Sequence, residues 1–335
     1  ALGCLLLVPL LPQLGTVGVL WVVAGFAILS SACFSASRWW GRIGVVVAVI
    51  VAATPFTWSE IKTFEPHMDK RSFRTLQGAS EGTWWDPISK IDIIDYEKVG
   101  EILNRPYTFK WIAYDGGTQT SYFYRFDGDY ESIRSGLPDN ALSHFWEAYL
   151  AVSHFLKADT EAQVLVIGSA GGQETKAALT YNAGHVDGIE LVSKVVELGK
   201  GRYNDYIGGV MTDPRTDIRA GEGRSFLRST GKQYDIIQIN SNHTSSSIAA
   251  GSGAMQSAYL QTVEAYKEFF SSLTADGILH INHHIYPKMV ATAAQAWAEM
   301  GRENFRDHVL VFEAAGQLDN LPTLLIRMQP WTQAE

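Results

Sequence analysis

The chain has 335 residues, of which 46% are hydrophobic, and its formal net charge is −8. This length predicts about two domains, and the acidic balance argues against a nucleic-acid partner, which would need a basic face. The two cysteines, Cys4 and Cys33, both lie in an apolar region. They exclude a disulfide framework and a cysteine-based metal site.

The N-terminal part predicts membrane helices. No charged residue precedes Arg38. Thr16–Ser35 is apolar over about 20 residues, which is enough to cross a bilayer core. A second apolar run, Ile43–Phe56, follows Trp39 and Trp40, and tryptophan favours the membrane interface. We therefore assign residues 1–57 to transmembrane helices; the alternative is a pair of buried core helices in a soluble protein.

Basic residues around these runs predict the orientation. Two arginines lie between the runs, and four basic residues follow the second run: Lys62, Lys70, Arg71 and Arg74. Because cytoplasmic flanks carry more Lys and Arg, we expect a multi-pass protein of the cell membrane with a cytoplasmic C-terminal domain. Residues 1–11 fit the end of an earlier helix, which predicts that the chain is a piece of a larger membrane region.

Residues 58–140 predict a linker and a small β-rich unit. The stretch "TWWDPISKIDIIDYEKVGEIL" predicts a short strand or turn followed by a helix. Alternation predicts strands over Phe109–Tyr114 and Thr120–Phe126, with the turn sequence "DGGT" between them. A helix over Ala141–Leu156 then begins the third region, residues 141–335.

From Gln163 onward, predicted strands and helices alternate. The strands are "QVLVI", "HVDGIEL", "RTDIRA", "YDIIQIN" and "GILHIN". The intervening helices are Thr175–Ala183, "SKVVELGKGRYND", Gly223–Ser229, "QSAYLQTVEAYKEFFSSL" and Lys288–Met300. Two apolar runs, "HVLVFEA" and "TLLIRMQ", predict a closing hairpin. This order predicts an α/β doubly wound sheet of the Rossmann-like, class I S-adenosylmethionine-dependent transferase type. Asp235, at the entrance to the fourth strand, is interpreted as structural.

A glycine-rich loop follows the first of these strands, where a ligand can approach the next helix N terminus. Its residues are Gly168, Ser169, Ala170, Gly171 and Gly172. Dinucleotide loops read G-x-G-x-x-G, but here Gln173 stands where the third glycine is required. Glu174 would repel a phosphate and tolerate a cationic or zwitterionic tail. The loop therefore favours a ligand without pyrophosphate.

Two acidic residues follow at the ends of the next two strands. Glu190 comes about 20 residues after the loop, where an acid binds ribose hydroxyls. Glu222 lies in "GEGR" after the third strand, where a carboxylate can accept a hydrogen bond from an adenine amino group. In this order the two acids predict an adenosine ligand without phosphates.

Several stretches resemble the spermidine synthase family, and more closely its bacterial branch fused behind membrane helices. They are "VLVIGSAGGQE", "GIEL", "DPRTDIRAGEGRSFL", "YDIIQINSNHT" and "YLQTVEAYKEFFSSLTADGILHI". The resemblance covers about Gln163–His284. It implies transfer of an aminopropyl group from decarboxylated S-adenosylmethionine to a diamine, a step of polyamine biosynthesis. Because family members are often dimers, it also implies a homodimer.

The resemblance implies roles for individual residues. The co-substrate would contact Gly168, Ser169, Gly171, Gly172, Glu190, Glu222 and Gly223. The family's usual loop aspartate falls at Gly171, so that contact is missing. The "DGGTQ" stretch fits the family's D-G-x-x-Q element and implies that Asp115 and Gln119 contact the substrate.

The main departure from the family follows the fourth strand. The family has "DSTDP", whereas this chain has "NSNHT", so Asn240 and His243 replace two aspartates. Asparagine can orient an amine but cannot act as a base, and histidine can act as a base near neutral pH. These two are the predicted catalytic residues. The small-residue loop Asn242–Ser257 predicts a lid over the acceptor; the alternative is a flexible linker.

His280, His283 and His284, near His243, permit a transition-metal interpretation. Strand alternation separates His283 from the other two, so we interpret them as polar residues lining a crevice and predict no metal. Two functions stay open. One is a membrane-tethered transferase that moves a methyl or aminopropyl group from S-adenosylmethionine, or its decarboxylated form, to an unknown small-molecule acceptor such as an amine. The other is a non-catalytic nucleoside-sensing domain of a transporter-like membrane protein.

Overall fold

A computed structural model describes residues 2–58, 80–102, 105–115, 119–135, 148–240, 260–283, 286–312 and 322–333. Within these ranges the side chains of residues 96–108, 119 and 120 are among those not described. The chain divides into two compact units. The first comprises Ala1–Ile94 with Ala113–Gly117, and the second comprises Asp95–Ile112 with Thr118–Glu335.

The first unit begins with two long apolar helices, α1 (Leu2–Cys33) and α2 (Arg38–Thr57). The backbone of α1 leaves the helical conformation at Gly15, where φ is 65°. Small residues let the two helices pack closely. A Cβ added at Gly25 would lie 2.7 Å from the Ala52 Cβ, and one at Gly44 would lie 2.7 Å from the Ala32 Cβ. Such small-residue contacts are common between membrane helices.

Val8–Cys33 and Arg38–Thr57 are long and apolar enough to cross a membrane, with mean hydropathies of 2.0 and 1.6. Only 22% and 11% of their most apolar windows are buried. The described structure therefore does not bury them as core helices.

A four-stranded sheet follows, in the order β1-β2-β3-β4. Its strands are β1 (Ser80–Trp85), β2 (Lys90–Ile102), β3 (Arg105–Tyr114) and β4 (Gln119–Tyr124). The strands predicted near β3 and β4 are confirmed, with shifted ends.

The helix predicted within "TWWDPISKIDIIDYEKVGEIL" is wrong, because Lys90–Ile102 is a strand. Isoleucines at 91, 93 and 94 are fully buried, and β-branched side chains favour strands. Asp92 is buried as well; it forms an ion pair with Lys90 at 2.6 Å. It also accepts a hydrogen bond at 2.6 Å from Thr83, its cross-strand neighbour on β1. Pairing with β1 thus decides the local conformation.

The second unit contains a seven-stranded sheet in the order β10-β11-β9-β8-β5-β6-β7. Its strands are β5 (Gln163–Ile167), β6 (His185–Glu190), β7 (Thr216–Ala220), β8 (Tyr234–Asn240), β9 (Leu273–Asn282), β10 (Val309–Phe312) and β11 (Thr323–Arg327). Neighbours from β7 to β9 are parallel, whereas β11 is antiparallel to β9 and β10. The predicted doubly wound sheet with a closing antiparallel hairpin is confirmed.

The helices of this unit lie between the strands along the chain. They are α3 (Tyr130–Ser135), α4 (Ala148–Leu156), α5 (Gln173–Thr180), α6 (Ser193–Lys200), α7 (Gly223–Thr230), α8 (Val263–Ser271) and α9 (Tyr286–Glu299). α8 is shorter than predicted, because the hydroxyl of Thr262 accepts a hydrogen bond from the Ala265 amide and caps its N terminus. Such caps stabilise a helix start by about 1 kcal/mol.

Aromatic side chains fill the core that α8 and α9 share with the sheet. Tyr266, Phe269, Phe270 and Trp297 are all buried, and the rings of Phe270 and Trp297 meet edge to face at 5.2 Å. At the opposite end of the strands from the predicted site, Asp235 accepts hydrogen bonds from the Gln163 amide and the Thr274 hydroxyl. The structural interpretation of Asp235 is therefore confirmed.

Candidate functional site

Five parallel strands, β7, β6, β5, β8 and β9, present their carboxyl ends at one edge of the sheet. Pairing of Ile167 with Ile239 places the glycine loop beside Asn240, and a Cβ added at Gly168 would lie 3.7 Å from the Asn240 carbonyl oxygen. Pairing of Glu190 with Ala220 brings the ends of β6 and β7 together. Open α/β sheets bind ligands at this edge.

The glycine loop turns sharply over the end of β6. The φ angles of Gly168, Ala170 and Gly172 are 82°, 36° and 85°, and glycine adopts such values without strain. The Gly168 amide donates to the carbonyl of Ile189 at 2.8 Å. Ala170 is not glycine, so its positive φ stores about 1 kcal/mol or more of strain.

Glu190 closes this loop. Its carboxylate is buried, with 6% of the residue exposed. One oxygen accepts from the Ala170 amide at 2.9 Å and the other from the Val192 amide at 3.0 Å. Each carboxylate oxygen has a second lone pair, which a ribose hydroxyl could use. The structure thus brings Glu190 to the loop, while its contact with a ribose stays a prediction.

Glu222 has a structural contact that the sequence did not reveal. It is the N-cap of α7, and its carboxylate accepts from the Arg224 amide at 3.0 Å and the Ser225 amide at 2.8 Å. Burial would raise the pKa of Glu222, but these hydrogen bonds hold its pKa below the usual value. Gly223 begins the helix, where a Cβ would lie 2.4 Å from Ile167 Cγ2. The adenine contact of Glu222 stays a prediction.

Asn240, at the end of β8, contacts an acid. Its Nδ2 donates to Oε1 of Glu174 at 2.6 Å, and Glu174 is only 4% exposed. Sequence reasoning treated Glu174 only as a charge at the helix start and missed this pair. The sequence contained a signal for this contact. Glu174 lies in the first turn of α5, directly after β5, and β5 and β8 are neighbours in a doubly wound sheet.

Gly171 permits a close approach between the loop and β4. A Cβ at this position would lie 1.8 Å from the carbonyl oxygen of Tyr122, far inside van der Waals contact. The aspartate that the family usually has here therefore does not fit this backbone.

The structure gives less support to the two residues of the β-rich unit that were assigned to the substrate, Asp115 and Gln119. One oxygen of Asp115 accepts from the Lys90 amide at 2.9 Å, and the Asp115 amide donates to the Lys90 carbonyl at 2.8 Å. These contacts hold a turn within the first unit. Gln119 begins β4, but its side chain lies outside the described part of the chain. Both substrate assignments stay predictions. His243, His284 and the Asn242–Ser257 loop also lie outside the described residues.

His280 belongs to a buried polar layer between α4 and the sheet. Its Nε2 donates to the Tyr149 carbonyl at 2.8 Å, so its Nδ1 accepts from the Ser153 hydroxyl at 2.7 Å. His154 Nε2 donates at 2.7 Å to Gln238, whose own Nε2 donates to a backbone carbonyl. His280 therefore does not line an open crevice, which corrects that interpretation. Among the described residues, no group of three or more His, Cys, Asp or Glu side chains is placed to hold a metal.

Both histidines are neutral in the folded protein. Burial lowers the pKa of His154 to about 4 and that of His280 to about 3, whereas an exposed histidine has a pKa of about 6.5. Below pH 6.5 the unfolded chain therefore binds protons that the folded chain does not. We expect the free energy of unfolding to fall as the pH is lowered from 6.5 towards 4, by up to about 1.4 kcal/mol per pH unit for each histidine.

Urea unfolding of the wild type and of His154→Gln at several pH values measures this slope. The free energy of unfolding of the variant should depend less steeply on pH than that of the wild type, by the contribution of about one proton. Equal slopes for the two proteins between pH 6.5 and 4 would show that His154 is not held neutral by folding.

Comparisons with known proteins point to one family. Residues 147–309 match the model of the spermine/spermidine synthase domain. The chain is 27% identical over 159 residues to a polyamine aminopropyltransferase of Korarchaeum cryptofilum, covering 46% of this chain and 45% of that protein. It is 31% identical over 125 residues to another from Alkaliphilus oremlandii, covering 37% of this chain and 40% of that protein. The chain thus spans less than half the length of these relatives.

The fold has a counterpart among solved structures. A probable spermidine synthase from Corynebacterium glutamicum matches with a TM-score of 0.50 at 15% identity, covering 76% of this chain and 82% of that one. At this identity the likeness shows the fold alone.

Proposed function

We propose that this chain, which belongs to a spermidine synthase-like family through its α/β domain, is a transferase that moves an alkyl group from a sulfonium nucleoside. The observation that carries the proposal is the contact between Glu190 and the Ala170 amide. It joins a glycine loop to a strand-end carboxylate, the arrangement in which α/β domains hold a ribose. S-adenosylmethionine and its decarboxylated form are the co-substrates that fit the family.

The proposed step is a direct displacement. The nitrogen lone pair of an acceptor amine attacks the carbon next to the sulfonium, and the bond between that carbon and sulfur breaks. The electron pair passes to sulfur, which becomes a neutral thioether, and the nitrogen loses a proton to a base. Such a reaction depends mainly on alignment and proton removal. Asn240 would orient the amine through Oδ1, and His243 is the proposed base.

The acceptor class separates this proposal from polyamine synthesis in its usual form. β8 ends in Asn240 rather than an aspartate. This difference removes a negative charge that would attract a dicationic diamine. The relatives' name supports aminopropyl transfer as the first reaction to test, and methyl transfer as the second. The role of the Asn242–Ser257 loop as a lid over the acceptor remains part of the proposal.

A product assay on the full chain, purified in detergent, tests the function. Decarboxylated S-adenosylmethionine with putrescine and other amines should release methylthioadenosine if an aminopropyl group is transferred. S-adenosylmethionine should instead release S-adenosylhomocysteine if a methyl group is transferred. Binding of the nucleosides without either product, across a panel of amines, would contradict the transferase and favour a nucleoside sensor.

We further propose that α1 and α2 cross the cell membrane and leave the α/β domain in the cytoplasm. Their length and exposed apolar surface support the first part, and the excess of basic residues after α2 supports the second. We expect the expressed chain to stay in the membrane pellet after carbonate washing. Protease added outside intact spheroplasts should leave the domain uncut. Release by carbonate would contradict the membrane crossing of α1 and α2. Cleavage by the external protease would contradict the cytoplasmic location of the α/β domain.

A further inference from the structure

The family has acids at two positions where this chain has none. Gly171 stands at the position in the glycine loop, and Asn240 stands at the position at the end of β8. A buried carboxylate is nevertheless present beside them, on Glu174. We propose that Glu174, held by Asn240, binds the ammonium group of the co-substrate. S-adenosylmethionine and its decarboxylated form carry this ammonium on the same carbon. The inference rests on the proposed function and assigns one residue of its site.

The position of Glu174 comes from the sheet. β5 and β8 are adjacent parallel strands, so the first turn of α5 lies next to the end of β8. The 2.6 Å hydrogen bond from Asn240 Nδ2 orients the carboxylate of Glu174. It also turns the amide of Asn240, so that its oxygen, Oδ1, points away from the donor side. The pair therefore places the carboxylate of Glu174 and the amide oxygen of Asn240 at the strand end.

Other polar atoms in this segment strengthen the match with a cation. Within the described part of the chain, two buried amide oxygens of this segment, those of Gln173 and Asn240, have no hydrogen-bond partner, and an amide oxygen can only accept. Buried acceptors are nearly always paired in native proteins. An ammonium group supplies three donors and no acceptor, whereas a phosphate or carboxylate would add more acceptors to a site that already contains an acid.

The basic residue of α5 next to this turn, Lys176, contacts aromatic rings. Lys176 Nζ lies 5.5 Å from the ring centre of Tyr124 and 5.7 Å from that of Phe126. This cation–π geometry places its charge against the aromatic residues of β4 and the segment after it. Glu174, in the same turn, contacts the strand end through Asn240.

Calorimetry with two nucleosides tests the inference on the full chain in detergent. Decarboxylated S-adenosylmethionine carries the ammonium, and methylthioadenosine lacks it. We expect Glu174→Gln to weaken binding of the first about 10-fold to 100-fold, the usual range for a charged hydrogen bond, and to leave binding of the second unchanged. The control is Glu197→Gln, an exposed residue of α6 that pairs with Lys194; it should change neither affinity.

A second variant keeps the test decisive if Glu174→Gln unfolds. In Glu174→Gln/Asn240→Asp, the Gln amide can donate to the new carboxylate, so the contact is kept and the charge moves to the strand end. This variant should again prefer the ammonium-bearing nucleoside. Equal loss of both affinities in Glu174→Gln, or no loss of either, would overturn the inference. A wild-type protein that binds neither nucleoside would instead overturn the proposed function, and the inference with it.

Discussion

Replacing Glu190 with alanine should weaken binding of methylthioadenosine by about 100-fold or more. The carboxylate accepts from the Ala170 and Val192 amides, so the variant loses the proposed ribose acceptor and also the clamp on the glycine loop. Each charged hydrogen bond contributes about 1.5–3 kcal/mol, and two of them account for at least this change. Calorimetry on the full chain measures it.

Two companion variants separate ligand contact from loop support. Glu190→Gln keeps one acceptor oxygen and should bind with an intermediate affinity. Gly221→Ala lies after β7 with its nearest contact, Ile189 Cγ2, at 3.7 Å, and should bind as the wild type does. If Glu190→Ala binds methylthioadenosine as tightly as the wild type, the assignment of Glu190 is wrong.

Restoring the family's aspartate at Gly171 should destabilise the protein rather than add an activity. The new Cβ would stand 1.8 Å from the Tyr122 carbonyl oxygen, and that oxygen is part of a strand backbone that cannot move away freely. Overpacking of this kind exceeds the ordinary range of single substitutions, so we expect a loss of more than about 3 kcal/mol in the free energy of unfolding.

Urea unfolding of Gly171→Asp and of Gly171→Ala measures this effect. The alanine variant should lose nearly as much as the aspartate variant, because the clash begins at Cβ and does not depend on charge. Gly221→Ala, at an exposed position, should change the free energy of unfolding by less than about 1 kcal/mol. A fully stable Gly171→Asp protein would mean that β4 does not approach the loop as described.

The sheet of the second unit was predictable because its strands are short apolar runs separated by turn residues. β2 was mispredicted as a helix, although its isoleucines favour a strand; the hydrogen bond between Thr83 and Asp92 joins it to β1. The position of Glu190 beside the glycine loop was predictable because this residue lies at a strand end. Contacts between side chains of different elements were not predictable, as with Glu174 and Asn240, nor was the approach of β4 to the loop at Gly171.

This chain lacks the family's acids at Gly171 and Asn240. The structure explains the absence at Gly171 and places another carboxylate next to Asn240. The backbone of β4 occupies the space that an aspartate at Gly171 would need, and Glu174 returns a carboxylate to the end of β8. Under the proposed function, the chain would keep the nucleoside loop and would bind the tail of the co-substrate through an acid at a shifted position.

The central claim is that the glycine loop holds an adenosine without phosphates. Titration of the chain in detergent with methylthioadenosine, and separately with NAD, tests this binding. We expect saturable binding of methylthioadenosine to one site per chain, displaced by S-adenosylmethionine or its decarboxylated form, and no binding of NAD. Binding of NAD without binding of methylthioadenosine would contradict it.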